Sequence, residues 1–416
     1  MANVHVTPQL IAKMIAVYVG EDVGKAFFTN VSNRLLPEYQ GKTNKPGATV
    51  RFRKPFRQVA SNSLAWNPQP LTDQIGTCTV NNIASVQNQW DIVEQTLEVE
   101  EVMEYYVRPA GNALRGEIAT QLANFCVQNA QGAVGSPGTA ATGPLTYLQA
   151  GDVLVEQGMP EQKPNLVMNR RMSTAFVDGT KTLFNPAGTI GGQFDRGRIA
   201  GDTLGYNIFQ DQATPVVTNG VFAGTPLVNG GSQAGTNGSN GTQSLITDGW
   251  SSTSLNKYTK FVIGSASSAT VGGVESVHPV LKTSSGRQQV CSVVNDISDT
   301  SGDMTVVISP ALTLTGAMQN VNSIPVDNAI ITVLGTTGAT QTMGIVMAKD
   351  SFGFLSVPLA ELYDGVKCIT ATDPKSGFSV MQSRWGDGQN MQNNMRYDCL
   401  FAPYAQFPEL SVVTYA

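Results

Sequence analysis

The sequence predicts an α+β fold, in which an all-β barrel domain is inserted into a body of mixed helices and strands. Three observations support this prediction. A helical period is sustained from Thr96 to Gln131, short strand-like runs separated by turn clusters fill residues 224–336, and segments of mixed character lie on both sides of those runs. A β-rich stretch between two mixed segments is typical of a domain inserted at a surface loop.

The composition limits the classes of function. At 416 residues the chain is long enough for two or three domains with their own cores. Charged residues make up only 14% of it, against the roughly one quarter that is usual. Two interpretations of this low charge stay open: partners cover much of the surface, or the protein is β-rich with a neutral polar surface. A net charge of −5 gives no indication of sequence-specific nucleic-acid binding.

Residues 1–46 are expected to form an N-terminal arm that carries one or two short helices. The apolar period from Pro8 to Tyr18 predicts one helix, and Thr7 is a favourable cap before a favourable first helical residue.

Residues 47–95 are predicted to form a long β-hairpin that projects from the body. Apolar and basic residues alternate from Ala48 to Val59, which is typical of a strand, and Gly76–Gln95 has the composition of further extended chain. A hairpin this narrow buries little of its own surface and needs a support. The basic residues are expected to be exposed: Arg51, Arg53, Lys54 and Arg57.

Residues 96–131 are predicted to form one long helix. Apolar residues recur at every third or fourth position and share one face: Val99, Met103, Tyr106, Ala110, Leu114, Ile118, Leu122 and Phe125. Acidic residues crowd the first turns, where the helix dipole favours them: Glu98, Glu100, Glu101 and Glu104. Pro109 lacks a backbone donor, so a kink or a new helix start is expected there.

The remaining segments alternate between mixed and all-β character. In residues 132–223, a helix is predicted at Leu145–Gly158, a buried strand at Asn165–Met168 and a helix at Arg170–Asp178. Residues 224–336 contain five or six short strands, which predicts a small barrel or sandwich. Residues 337–376 return to buried-strand composition, and residues 377–416 carry the terminal strands.

Motifs that would indicate catalysis or a metal site are not found. The five cysteines are scattered without zinc spacing or a disulfide pattern, which suits a reducing cytoplasm, and Cys126 and Cys399 are expected to be small core residues. The sequence has no common hydrolase or nucleotide signature, and His278 is expected to be a packed or surface residue. The aspartates at 296, 299 and 303 lack the ligand order of an EF-hand and fit a polar turn better. We therefore expect no enzyme, cofactor or metal, and neither a signal peptide nor a membrane span.

Several blocks of the sequence, in order, resemble the major capsid proteins of tailed bacteriophages with the Hong Kong 97-like fold, above all podovirus coat proteins with an inserted domain. The blocks are VTPQLIAKMI followed by GATVRFRKP, then LEVEEVMEYYVRPAGNALRGEIATQLANF, LVMNRRMSTAFVDGTKTLFNP, the β-rich stretch from SLITDGW to NAIITVLG, and MRYDCLFAPYAQFPELSVV. The resemblance implies an N-arm (1–46), an extended loop (47–95), the spine helix of a peripheral domain (96–131), an axial domain in two parts (132–223 and 337–376), an inserted β domain (224–336) and peripheral-domain terminal strands (377–416).

The resemblance also implies a function and a set of partners. Copies of the chain would form the hexamers and pentamers of an icosahedral shell around double-stranded DNA, which the shell contacts without reading its sequence. A scaffolding protein and a portal would assist assembly in the host cytoplasm, a decoration protein is a further partner in such virions, and no membrane is involved. The alternative class is a secreted β-rich surface or adhesin-type binding protein, which the Ser, Thr, Asn and Gly content suggests.

Charge patterning indicates how two copies would meet. We expect the basic hairpin residues Arg51, Arg53, Lys54 and Arg57 of one subunit to lie against the acidic start of a neighbour's long helix, at Glu98, Glu100, Glu101 and Glu104. Exposed ion pairs contribute only about 0–1 kcal/mol each, but a shell repeats them many times.

Overall fold

The computed structural model describes most of the chain. The described residues are 8–20, 27, 30–33, 49–55, 57–58, 64, 74–91, 107–160, 162–180, 202–251, 254–269, 273–298, 302–362, 365–373 and 377–415. The α-helices among them are α1 (Pro8–Gly20), α2 (Arg108–Asn129), α3 (Pro144–Glu156) and α4 (Arg170–Thr180). Short 3-10 helices lie at Gly238–Asn240 and Pro408–Leu410.

The described strands are numbered in chain order. The first twelve are β1 (Ser32–Asn33), β2 (Thr49–Lys54), β3 (Gln74–Thr79), β4 (Asn82–Asp91), β5 (Gly132–Val134), β6 (Asn165–Met168), β7 (Asp202–Thr203), β8 (Tyr206–Gln210), β9 (Val216–Thr218), β10 (Gly224–Val228), β11 (Gln243–Trp250) and β12 (Ser254–Leu255). The others are β13 (Lys260–Ile263), β14 (Glu275–Val277), β15 (Ser284–Gln288), β16 (Val290–Val293), β17 (Ile297–Ser298), β18 (Met304–Ser309), β19 (Ile331–Val333), β20 (Thr340–Met347), β21 (Phe352–Val357), β22 (Lys367–Thr372), β23 (Ser379–Asp387), β24 (Gln392–Ala405) and β25 (Ser411–Tyr415).

The chain divides into two compact units. The first comprises residues 1–52, 77–122 and 353–404, and the second comprises residues 53–76, 123–352 and 405–416.

The first unit is built on a six-stranded sheet. Its strand order is β1-β21-β24-β23-β22, and β4 pairs with β24. Helix α1 lies against β22 and β23 through a buried apolar face that includes Ile11, Ile15 and Val19. This helix confirms the one predicted from Pro8 to Tyr18. Phe354 and Phe378 stack in the same unit, with ring centroids 4.7 Å apart.

The strand pairing corrects one expectation about residues 47–95. Strands β2 and β3 form a hairpin pair as predicted, but β4 runs antiparallel to Gln392–Phe401 over its whole length. The prediction that the entire segment projects from the body is therefore wrong for Asn82–Asp91, which extends the sheet. The composition of β4 indicated a strand, but it carried no information about a partner 300 residues away.

The second unit contains a seven-stranded sheet covered by helices. Its order is β5-β25-β20-β6-β8-β7, and β9 pairs with β20. Helix α3 packs on β5 and β25, and the rings of Tyr147 and Phe176 join α3 to α4 at a centroid distance of 5.5 Å. Strand β6 coincides with the predicted Asn165–Met168, and all four of its residues are buried.

The same unit contains a closed β-barrel formed by residues 224–333. The strand order is β10-β11-β18-β16-β13-β19. The end of β10 joins the segment just before β19: the Val228 N–H donates to the Ala329 carbonyl and the Asn328 N–H donates to the Val228 carbonyl, both at 2.9 Å. Strand β13 coincides with the predicted Lys260–Ile263. Of the two predicted architectures, barrel and sandwich, the strand pairing fits the barrel. Its core is aliphatic and aromatic, with Trp250 and Phe261 at its centre.

The long helix is described from Arg108 to Asn129. The apolar stripe is confirmed in this range, since Leu114, Ile118 and Leu122 are buried. Pro109 is the second residue of α2, and Val107, which precedes α2, is helical as well. The predicted part before Val107, including Val99, Met103 and Tyr106, lies outside the described residues.

Candidate subunit interface

The basic strand β2 presents two different faces. Burial alternates strictly along it, so that Arg51 and Arg53 are exposed while Val50 and Phe52 are buried. Val50 and Phe52 pack in a small cluster with Leu355 and Tyr404. Two of the predicted interface residues, Arg51 and Arg53, therefore lie on the exposed face of the strand.

Lys54 does not share that exposure, which corrects the sequence prediction. Its side chain is only 8% exposed, and its Nζ lies 5.5 Å from the centroid of the Phe407 ring. Burial lowers its pKa to about 8, against the opposing effect of the Glu409 carboxylate. The period of two along β2 explains this position, because Lys54 is in phase with Val50 and Phe52.

Arg57 is also engaged within the chain. Its guanidinium forms an ion pair with the Glu409 carboxylate, whose side chain is only 3% exposed. A buried carboxylate requires a cationic or hydrogen-bonding partner, because desolvation penalises the charged form. Arg57 supplies that partner, so the expectation that it faces a neighbouring subunit is replaced by an internal contact.

Glu409 lies in the short 3-10 helix Pro408–Leu410. Two hydroxyl groups fix this turn: Ser411 Oγ donates to the Pro408 carbonyl at 2.5 Å, and Ser351 Oγ donates to the Leu410 carbonyl at 2.8 Å. Glu409 was not predicted as a site residue. The available signal was that it is the only charged residue in the terminal stretch FPELSVVTYA.

Lys282 adds a third cation to this group. Its Nζ donates to the carbonyls of Ala317 and Gln319 at 3.1 and 3.2 Å. Burial and the positive charge of Arg57 lower its pKa to about 8, against the opposing effect of Glu409. The carboxylate of Glu409 thus has three neighbouring cations, and we call Lys54, Arg57, Lys282 and Glu409 the hairpin-root cluster.

The predicted acidic partners are not part of the described structure. Glu98, Glu100, Glu101 and Glu104 lie outside the described residues, so their contact with the basic hairpin stays a prediction. The structure brings Lys54 and Arg57 together at Glu409 and leaves Arg51 and Arg53 on the exposed face of β2.

A second buried charge joins the barrel to the end of the long helix. Lys260 on β13 has no exposed surface, and its Nζ donates to the Ala130 carbonyl at 2.8 Å. Carbonyls at a helix C-terminus lack helical partners and carry the negative end of the dipole, so they favour a cation. Burial lowers the pKa of Lys260 to about 7.

Amide side chains extend the same junction. Gln131 Nε2 donates to the Ser239 carbonyl at 2.6 Å, and Gln289 Nε2 donates to the Gln131 carbonyl at 3.5 Å. The barrel region therefore contacts the residues just after α2 through Lys260 on β13, through Gln289 between β15 and β16, and through Ser239 in a short 3-10 helix. The sequence does not predict that these residues contact the segment after α2, because polar residues in a strand pattern are normally assigned to the face exposed to solvent.

The family assignment follows from a comparison with known protein families. A family model described as "P22 coat protein - gene protein 5" matches residues 34–414, which is nearly the whole chain. The chain belongs to the P22 coat protein family. It is a major capsid protein that forms the shell of a tailed bacteriophage, as the resemblance in the sequence implied. The alternative of a secreted adhesin-type protein is set aside by this assignment.

Solved capsid structures are similar to the coat protein at low identity. A chain from Mycobacterium phage Che8 is 11% identical with a TM-score of 0.46, and the match covers 93% of this chain and 90% of that one. The PhiM1 mature capsid gives 10% identity, a TM-score of 0.45 and coverages of 93% and 86%. The capsid of cyanophage P-SCSP1u gives 10% identity and a TM-score of 0.43, and the match covers 90% of this chain and 85% of that one. Among curated proteins, none matches the coat protein.

Family membership fits the other properties of the coat protein. The family is structural and not enzymatic, and its members are found in the virion. None of the helices in the described ranges has the length and hydropathy that spanning a bilayer requires. Cys126 and Cys399 are fully buried, which confirms their predicted place in the core.

Proposed function

We propose that this coat protein assembles in the Hong Kong 97-like manner, as hexamers and pentamers whose extended loops lie across neighbouring subunits. In this arrangement residues 47–95 form the extended loop, whose strand β4 stays in the sheet of its own subunit, residues 96–131 form the spine helix, and residues 224–336 form an inserted domain. The proposal is supported by one observation above all. Arg51 and Arg53 point outward from a strand whose other face is buried.

The hairpin-root cluster shows that two of the four basic residues contact groups of their own chain. Arg57 and Lys54 are used inside the chain, at Glu409 and Phe407, where they hold the start of the loop. Arg51 and Arg53 lie on the exposed face of β2, which is the face that would contact a neighbour. The acidic start of a neighbour's spine helix, at Glu98 to Glu104, has the complementary charge, and complementary patches set the orientation of an encounter.

Reversing the two exposed charges tests this proposal. The double variant Arg51→Glu with Arg53→Glu is expected to reduce the yield of shells by about tenfold or more, because like charges placed opposite each other cost several kcal/mol. The yield is measured by sedimentation of particles from the assembly reaction. Circular dichroism of the unassembled subunit is expected to be unchanged.

A matched control separates a specific contact from a general change of charge. Arg170 and Arg171 are adjacent, exposed arginines at the start of α4, where acidic residues are compatible with the helix dipole. The variant Arg170→Glu with Arg171→Glu is expected to assemble normally. Normal shells from the Arg51 and Arg53 variant, or equal defects in both variants, would contradict the proposed loop contact.

The proposal includes partners that act during assembly. A scaffolding protein and a portal would start the shell in the host cytoplasm, and a decoration protein would bind the finished surface. Packaged double-stranded DNA would be contacted without sequence recognition. A net charge of −5 fits this last role, because a shell that neutralises few phosphates displaces few counter-ions from the DNA and therefore holds the genome weakly.

The barrel is proposed to be an inserted domain that folds without the rest of the chain. A closed barrel has no free sheet edge, and residues 224–333 contribute every strand of it. A fragment of residues 224–336 is therefore expected to give a dispersed amide NMR spectrum and a cooperative thermal transition.

A second fragment serves as its control. Residues 132–223 are also contiguous, but their strands β5 and β6 are separated in the sheet by β20 and β25, which that fragment lacks. It is expected to be unfolded. A disordered spectrum from the barrel fragment would contradict the proposal that this segment is an autonomous domain.

A further inference from the structure

The imidazole of His278 closes the turn that joins β14 to β15. Its Nδ1 accepts hydrogen bonds from the backbone N–H groups of Val280 and Leu281, both at 3.1 Å. The backbone closes on the same residue, because the Lys282 N–H donates to the His278 carbonyl at 3.0 Å. The chain therefore folds around one side chain over residues 278–283, which we call the His278 turn.

Only one protonation state of the His278 ring can accept these two hydrogen bonds. A neutral imidazole has one nitrogen that donates and one that accepts, whereas both nitrogens donate in the protonated ring. The N–H groups of Val280 and Leu281 therefore place the proton of the neutral ring on Nε2. A proton on Nδ1 would bring three N–H groups together without an acceptor, so protonation of the ring breaks both hydrogen bonds.

The opposite edge of the ring lies against the end of α3. Gly158, two residues beyond that helix, has a φ of +79°, and a Cβ built there would lie 3.1 Å from His278 Nε2 and 3.2 Å from Cε1. Beside this contact, the Arg287 guanidinium on β15 pairs with the Glu156 carboxylate, with 2.5 Å between Nε and Oε2. A change in the shape of the His278 turn therefore also changes its packing on the end of α3.

The charges near the His278 turn favour the neutral ring. Burial and the positive charge of Lys282 lower the pKa of His278 below its ordinary value of 6.5. Further charged groups on the elements that pack around the turn are Glu275 on β14, Arg287 on β15, Glu156 on α3, and Arg57 and Glu409 of the hairpin-root cluster. Each of these carboxylates already contacts a cation or a hydrogen-bond donor, so the neighbouring charge that acts on His278 is the ammonium group of Lys282.

We propose that His278 is a pH-sensitive switch, whose neutral ring holds the His278 turn closed and whose protonation opens the turn. Opening releases the N–H groups of Val280 and Leu281 and loosens the contact between the turn and the end of α3. Histidine is suited to this role because its charge changes at mildly acidic pH. The inference goes beyond shell formation: it concerns the single subunit and does not depend on whether that subunit assembles.

Histidine-selective nitrogen-15 NMR of the whole unassembled chain measures the tautomer and the titration. The sequence contains two histidines, His5 and His278, so the variant His5→Gln leaves one imidazole to observe. At pH 7.5 the proton is expected on Nε2, and the ring is expected to titrate below pH 6.5. A proton on Nδ1 at pH 7.5, or titration above pH 6.5, overturns the proposal.

Hydrogen exchange followed by mass spectrometry measures the opening of the turn. From pH 7.5 to pH 4.5, the protection of the Val280 and Leu281 amides, corrected for the intrinsic exchange rate, is expected to fall about tenfold or more, because both hydrogen bonds are lost. Strand β25, whose five residues are all buried, is the internal reference and is expected to stay protected. Unchanged protection of the two amides across this range overturns the proposal.

Two substitutions separate the switch from a general effect of acid. His278→Asn places a carboxamide oxygen near the position of Nδ1, where it accepts from both N–H groups at every pH, as in an Asx turn. Its turn is expected to stay protected at pH 4.5, whereas the turn of His278→Ala is expected to lose protection already at pH 7.5. The same pH dependence in His278→Asn and in the wild type overturns the proposal.

Discussion

Replacing Glu409 with glutamine is expected to lower the free energy of unfolding of the unassembled subunit by about 3 kcal/mol. Glutamine preserves the shape of the side chain but removes the negative charge that faces Arg57. Arg57 and Lys54 then remain desolvated beside each other without a counter-ion. Denaturant unfolding followed by circular dichroism measures the loss.

The expected loss in the free energy of unfolding follows from the burial of the Arg57–Glu409 ion pair. The Glu409 side chain is 3% exposed and that of Arg57 is 19% exposed, so water screens this ion pair little. Breaking a buried pair by removing one partner typically costs 3–5 kcal/mol, because the other charge stays buried and uncompensated. The partial exposure of Arg57 places the expectation at the lower end of that range.

A double-mutant cycle shows whether the two residues act together. The variant that combines Arg57→Gln with Glu409→Gln is expected to lose less than the sum of the single losses, because neither charge is left alone. Glu361→Gln, at an exposed carboxylate, is the control and is expected to change stability by less than about 0.5 kcal/mol. Additive single effects would show that the ion pair does not contribute to stability.

The stability of the subunit is expected to rise by about 2 kcal/mol between pH 7 and pH 9 because of Lys260. The pKa of Lys260 is lowered to about 7 in the folded protein by complete burial, against an ordinary value of 10.5. Between these values the unfolded chain binds more protons than the folded one. Protons therefore favour the unfolded chain in this range, and raising the pH increases the free energy of unfolding.

Other titrating groups determine the pH range over which the stability rises. Lys54 and Lys282, with pKa values of about 8, act in the same direction from pH 8 upward. The buried thiols of Cys78, Cys291 and Cys399 have pKa values raised to about 12 by burial, so above pH 9 they ionise first in the unfolded chain and lower the stability. A maximum near pH 9 is expected.

The variant Lys260→Met isolates the contribution of the buried ammonium group. Methionine retains the length and flexibility of the side chain without the charge. Between pH 7 and pH 9 the free energy of unfolding is expected to rise by about 2 kcal/mol less in this variant than in the wild type, and the rise that remains comes from Lys54 and Lys282. Lys257→Met, on the same segment and not fully buried, is the control and should retain the wild-type dependence. The same slope in Lys260→Met and in the wild type would exclude Lys260 as its source.

Several elements were predictable because their signals are local. Asn165–Met168 and Lys260–Ile263 are short apolar runs bounded by polar residues, and both are strands with those bounds. Helix α3 and the amphipathic helix α1 follow from periodicity. The barrel followed from the regular spacing of strand-like runs between turn clusters, which depends on no distant contact.

Pairings between distant segments were not predictable. Strand β4 pairs with β24, and β25 lies between β5 and β20, so neighbours in the sheets come from residues far apart in the chain. A single sequence contains no signal for such partners. The hairpin was therefore predicted to project as a whole, although its last strand belongs to a sheet.

The buried charged residues show a second limit on what the sequence alone can predict. Lys54 could have been placed on the inner face by the period of two along β2, since Val50 and Phe52 precede it in the same phase. Glu409 and Lys260 offered no comparable signal, because their burial depends on Arg57 and on the Ala130 carbonyl, both remote in the sequence. Charged residues are assigned to the surface unless a partner is known.

Cryo-electron microscopy of particles assembled from the purified chain tests the central claim most directly. Closed icosahedral shells of uniform diameter are expected, in which the hairpin of β2 and β3 of one subunit lies on residues 96–131 of its neighbour. Preparations that contain only monomers, open sheets or filaments under conditions in which the subunit is folded would contradict the claim that this coat protein builds the shell by these contacts.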